Sequence, residues 1–291
     1  MLLAATALAA NAQAPSPTPT PPAGEIFVVE LRIRNGELKL GEPKKITDYA
    51  GYNNQPFFMP DGRSMLYTSI RGKQADIYRY DLRTGTTSQV TNTPESEYSP
   101  TLMPDKKSIS VIRVEADGTQ RLWRFALTGG APSLILANVK PVGYHCWIGA
   151  HTLALFILGG AGKPNSLQIV DTRTEKAETI ADNPGRTLRL VPHEHKLSFV
   201  HKISNQEWFI KTFDLKTRET TSLIKTLSGV EDYAWLPAGM LLMAKDATLY
   251  KWDPVKDKTW QEVTNFSGAG VRRITRIAIS PQSDRIAFVA Q

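Results

Sequence analysis

The 291 residues hold a single cysteine, Cys146. An internal disulfide is therefore excluded, and packing alone must hold a chain of this length together. Cys146 itself reads as a small apolar core residue rather than as a nucleophile. No apolar run is long enough to span a bilayer. No 3.6-residue apolar period persists over ten residues, which argues against long amphipathic helices. Nucleophile and phosphate motifs are missing as well: there is no G-x-S-x-G, no H-E-x-x-H and no phosphate-cradling glycine loop. The net charge of +7 is spread along the chain and reads as a solvated basic surface. With no recognisable motif beside it, nucleic acid is not an expected partner. No metal or other cofactor is expected either.

What is present begins with "MLLAATALAANA", residues 1–12. It has the apolar region and the Ala10-Asn11-Ala12 cleavage pattern of a secretory signal, with cutting expected before Gln13. A basic n-region is not among these residues, so the natural start is expected upstream. Residues 13–24 follow as a Pro-rich linker, since a Pro/Ser/Thr tract packs no core and stays extended. The expected location is periplasmic or secreted, with no membrane span in the mature chain.

From residue 25 onward one phrase recurs: apolar residues, Pro, a polar turn, then an apolar strand. It is anchored at Pro60, Pro104, Gly149, Pro192, Pro237 and Pro281, a beat of 43 to 45 residues. A fixed period of this size marks a repeat architecture. A second phrase keeps the same beat, as in "DIYRYDLRTG" (76–85) and "RLWRFALTGG" (121–130). A third closes most units, as in "QVTN" (89–92) and "EVTN" (262–265). Alternating apolar and polar residues punctuated by Gly, Asp and Asn give four short strands per unit, A to D from the centre outward. Four antiparallel strands in about 44 residues describe a β-propeller blade. The last phrase supplies strands A and B only, while residues 24–48 supply a C and a D with a turn at Asn35-Gly36. The expected fold is all-β: a six-bladed propeller over 25–291, closed by two N-terminal and two C-terminal strands in one blade.

The stretch "QPFFMPDGRSMLYTSIRGKQADIYRYDLRTGTTSQVTN", residues 55–92, resembles the repeat of TolB-type six-bladed propellers, relatives of WD-repeat blades. The resemblance covers residues 25–291 and implies an envelope-side protein-binding scaffold. The residues ahead of the propeller are too few for the α/β domain that precedes it in the family's namesake, so the namesake's whole role is not implied.

Blade geometry says where a site would lie. The residues just before each strand A ring one mouth of the central channel: Asn53, Asn54 and Gln55; Glu97, Tyr98 and Ser99; Tyr144 and His145; Arg186 and Thr187; Glu231, Asp232 and Tyr233; Arg272, Arg273 and Arg276. These differ from blade to blade while the A–B turns stay alike, so a partner is expected to be read here. Tyr98, Tyr144 and Tyr233 are the expected anchors, and the arginines favour an acidic stretch on the partner. An envelope protein or peptide is the expected partner and the chain is expected to be monomeric. A rival reading is a carbohydrate site, with Arg186 and Arg276 on a uronate carboxylate and His145 as base. His201, on an adjacent blade, could complete a histidine pair with His145. The Asp of Pro-Asp-Gly is structural, because Asp bonds its own turn and Gly takes the positive φ. His193 and His195 fall in an A–B turn on the far face. "LGGAGKPNS" (158–166) reads as a long B–C loop at the mouth.

Overall fold

The computed structural model describes residues 21–291, so the expected signal at 1–12 and the first part of the 13–24 linker lie outside it. Six antiparallel blades follow one another around a ring, five of four strands and one with an added fifth. The innermost strands are Asn53–Phe58, Ser96–Leu102, Val142–Trp147, Pro184–Leu190, Tyr233–Trp235 and Ile274–Ile279, and they define blades 1 to 6. One 3₁₀ turn, Ser267–Ala269, is the only helical element among the described residues. No helix there is long and apolar enough to cross a membrane.

The repeated phrase is a repeated turn. In blade 1 the Gly62 N–H donates to Met59 O (2.9 Å), and the Arg63 N–H donates to Asp61 Oδ1 (2.9 Å). Lys106, Gly239 and Ser283 occupy the position of Gly62 in their blades, and all three have positive φ. Blade 4 departs by one residue: His193 carries the positive φ of 61°. That places His193 as a turn residue on the face opposite the mouth.

Closure is the 2+2 arrangement. Glu25–Arg34 inserts as the third strand of blade 6 and pairs with Arg285–Ala290, from Glu25 opposite Ala290 to Glu30 opposite Arg285. The fourth strand differs from the expectation of a single segment. Lys44–Lys45 completes the blade against Phe27 and Val28. Glu37–Leu40 instead forms a hairpin with the overhanging end of the third strand. Asn35 and Gly36 both have positive φ (52° and 79°), the mirror-image turn that matches strand twist. Leu31, Ile33, Leu38 and Leu40 of this hairpin pack into the core between blades 5 and 6. Only there can an overhanging hairpin bury its apolar face.

The core lies between the blades. Phe288 stacks on Phe27 (centroids 5.4 Å apart) and on Phe266 (5.1 Å), so it joins the two ends of the chain to blade 5. The third and fourth strands of blades 3, 4 and 5 shift register, and so do the two innermost strands of blades 1, 2, 3, 4 and 6. The innermost bulges turn side chains into the channel and shape the site.

Candidate functional site

The bulges of blades 1 and 2 place Gln55 and Ser99 at φ of 58° and 56°, a conformation that costs energy in a non-glycine residue. The neighbouring blade compensates. Gln55 Oε1 accepts from the Ser99 N–H (2.9 Å) and from Thr68 Oγ1 (2.8 Å). In blade 4 the equivalent bend passes through Gly185, where a Cβ would stand 2.7 Å from Val200 Cβ. Glycine thus permits the close approach that aims Arg186 inward.

Asp232 ties three blades together. Its Oδ1 accepts from the Ile277 N–H (2.8 Å) and its Oδ2 from Thr187 Oγ1 (3.0 Å). Arg276 Nη1 lies 3.6 Å and Arg186 Nε 4.0 Å from the same Oδ2. Arg276 continues across the channel, donating to the Tyr144 hydroxyl (2.9 Å) with its guanidinium over the Tyr144 ring. Arg186 donates to Thr275 O (2.7 Å), and Glu231 receives Lys202 at 2.7 Å. Above this knot opens a cavity of about 540 Å³ on the mouth face. Asn54, Arg186, Asp232, Arg273 and Arg276 line it together with Lys245 and Asp246. Arg273 and Lys245 are exposed and make no ion pair among the described residues.

The remaining ring residues go elsewhere. Tyr233 is fully buried and its hydroxyl donates to Ser198 Oγ (2.9 Å). Burial holds that phenol above its ordinary range. It offers a partner no surface, and the expected anchor is instead an inter-blade strut. His145 holds the same post one repeat pair earlier: its Nε2 sits 2.7 Å from Ser110 Oγ. In both places a tryptophan two residues on, Trp147 or Trp235, donates to that serine (2.9 and 2.8 Å). Burial pushes the His145 pKa down to about 3, so the imidazole is neutral, enclosed and unsuited as a general base. His201 stacks at 6.0 Å on Phe199 at the end of blade 4's second strand, and burial lowers its pKa too. No group of three or more side chains able to hold a metal forms among the described residues.

Asn53 is buried, donating to Gly24 O and Tyr49 O, and so anchors the entry to blade 6. Tyr98 is half-buried, edge-on to Tyr52 at 6.3 Å. Arg272 is exposed outside the cavity, and the 158–166 loop does not line it. Tyr52, one residue ahead of the predicted ring, is half-buried against Tyr98, and burial raises its pKa. Its signal was an aromatic one residue ahead of the strand-A start at Asn53.

Glu97 is fully buried, with Oε1 accepting from Thr93 Oγ1 and facing Arg113 Nε at 3.6 Å; Oε2 has no partner. Burial raises its pKa from 4.5 to about 7. The folded state therefore holds a proton that the unfolded chain releases near 4.5, and stability falls as pH rises through that window. The shift corresponds to about 3 kcal/mol. Glu97→Gln, neutral throughout, is expected to flatten the decline in unfolding free energy between pH 4.5 and 7. An unchanged slope in the variant would assign the pH dependence to other groups.

No family model matches the chain. A stretch of 78 residues, 23% of the chain, is 32% identical to the Tol-Pal system protein TolB of Francisella tularensis, and covers 18% of that protein's length. The fold superposes on the Agrobacterium tumefaciens structure named for TolB with a TM-score of 0.69, covering 93% of this chain and 98% of that one at 14% identity. An oligogalacturonate lyase from Vibrio parahaemolyticus superposes with a TM-score of 0.60 over 85% of this chain and 80% of its own, also at 14% identity. At such identities the likeness is one of fold.

Proposed function

Because the chain folds as a TolB-like six-bladed β-propeller, we propose that it is a non-enzymatic envelope scaffold, periplasmic or secreted. As a monomer, it seats a protein or peptide partner on its mouth face. The observation that carries this reading is the mouth cavity. Its size, about 540 Å³, suits an inserted loop or side-chain cluster. Its rim offers Arg273 and Lys245 unpaired, while the floor is a fixed network around Asp232. Unpaired rim cations on a rigid ring favour an acidic segment and speed its encounter. The naming of the Francisella relative as a Tol-Pal system protein supports an envelope setting. A lyase or hydrolase has weaker support, since His145, the imidazole on the channel wall, is buried and bonded to Ser110.

The test is affinity capture from envelope extract with the full chain, beside an Arg273→Glu/Lys245→Glu double variant. Both positions are exposed, so the variant is expected to keep the wild-type melting temperature. A partner recovered at least about tenfold better by the wild type supports the mouth face, since each lost charged contact is worth about one decade or less. Equal recovery by both chains overturns it.

A further inference from the structure

Beneath the mouth cavity the channel narrows to a chamber of about 70 Å³. It shares Arg186, Arg276 and Ile277 with the cavity above. It shares Pro56, Phe57 and Arg189 with an apolar funnel of about 320 Å³ that opens on the opposite face. Three arginines, Arg186, Arg189 and Arg276, therefore line one small chamber. The charges around them do not balance. Asp232 and Glu231 are the carboxylates within reach, and Glu231 is also taken by Lys202. Arg189 has neither an ion pair nor a side-chain hydrogen bond among the described residues.

The hydrogen bonds do not balance either. Arg186 Nε, Arg276 Nε, Ser99 Oγ and His145 Nδ1 are all buried without a partner, and all four residues line this chamber. The His145 tautomer can be read from its neighbour. Ser110 Oγ already accepts from Trp147 Nε1 and has one proton to give. His145 Nε2 at 2.7 Å is a closer acceptor than Thr101 O at 3.4 Å. With Nε2 accepting, Nδ1 carries the hydrogen, and it is left as a donor. The chamber is thus lined by arginines in excess of the carboxylates, with unpaired donors directly behind its wall. Leaving such groups buried and unpaired is costly. Its volume equals that of roughly two waters, enough for a planar or tetrahedral ion of four or five heavy atoms.

We infer that this chamber is a binding site for a small oxyanion, a carboxylate or phosphate group, held by Arg186, Arg189 and Arg276. Guanidinium forks match such oxygens in pairs. The site lies below the mouth face and does not depend on partner docking there. The group arrives either as a free inorganic ion or as the head of a carboxylate whose apolar body fills the funnel.

The experiment is thermal unfolding and calorimetric titration of the full chain with inorganic phosphate, acetate and hexanoate, against sodium chloride at matched ionic strength. At 10 mM, a ligand binding near 0.1 mM is expected to raise the melting temperature by about 5 °C. Arg189→Met, which breaks no ion pair, is expected to lose that rise and at least about tenfold in affinity. Arg189→Lys keeps the charge but not the fork, and is expected to fall between the two. Response to phosphate and acetate identifies a free ion; response to hexanoate alone identifies a carboxylate seated through the funnel. No response beyond matched chloride, or equal responses in wild type and Arg189→Met, overturns the site.

Discussion

A chain lacking residues 1–34 is expected to lose its cooperative thermal transition altogether. The deletion removes the third strand of blade 6, whose first six residues pair with the whole of Arg285–Ala290. Ile26, Val29 and Leu31 are nearly inaccessible in the ring, and Phe27 covers Phe288. Burying one such side chain contributes about 1.5–3 kcal/mol, so these four account for roughly 6–12 kcal/mol. Total stabilities of single domains are about 5–15 kcal/mol, so little or nothing remains. The control is a circular permutant. Glu25 lies opposite Ala290, so a short linker can join the two ends. New termini opened in the loop between Ile157 and Ser166 would cut no strand. That permutant is expected to unfold cooperatively within a few degrees of the natural chain. A truncated chain with an unchanged transition would mean that five blades are self-sufficient.

Asp232→Ala is expected to cost about 3–5 kcal/mol in urea denaturation, the cost of removing one partner from a buried charge network. The substitution orphans the Ile277 N–H and the Thr187 hydroxyl, and leaves Arg276 facing Tyr144 without its counter-ion. Asp232→Asn keeps an acceptor for one of the two hydrogen bonds and loses the charge, so it is expected to cost less than the alanine variant. A loss below about 1 kcal/mol for Asp232→Ala would remove this knot from the list of structural supports.

The architecture was legible because repetition multiplies a weak signal. One Pro-Asp-Gly turn proves little, but six anchors on a fixed beat leave few alternatives. The split blade was legible for the same reason, since an unmatched half at each end has one place to go. The site was harder to read. Strand-A residues were assigned to the mouth by counting from the strand start, and the bulges at Gln55 and Ser99 break that count. Tyr233 and His145 read as mouth residues in the sequence because they are polar-tipped and sit next to the ring. Aligning "YHCW" (144–147) with "DYAW" (232–235) would have exposed the shared strut, with Ser110 and Ser198 at matching places in the preceding blades. Arg189 carried no signal, since only the bulge in blade 4 brings it around to join Arg186 in the channel.

The pairing of Glu25 with Ala290 also sets a timetable. The first strand of the ring lacks its inner neighbour until the last one has been made or delivered. Until then the chain is an open arc with two raw edges, one at each end, and both invite association with neighbours. The entropic toll of joining such distant segments grows only slowly with their separation, by about 0.6 kcal/mol per doubling. The delay is therefore one of rate rather than of final stability, as befits contacts so remote along the chain. Ring closure is the expected late step of folding, and any helper that guards the nascent arc would act on the edges of blade 6.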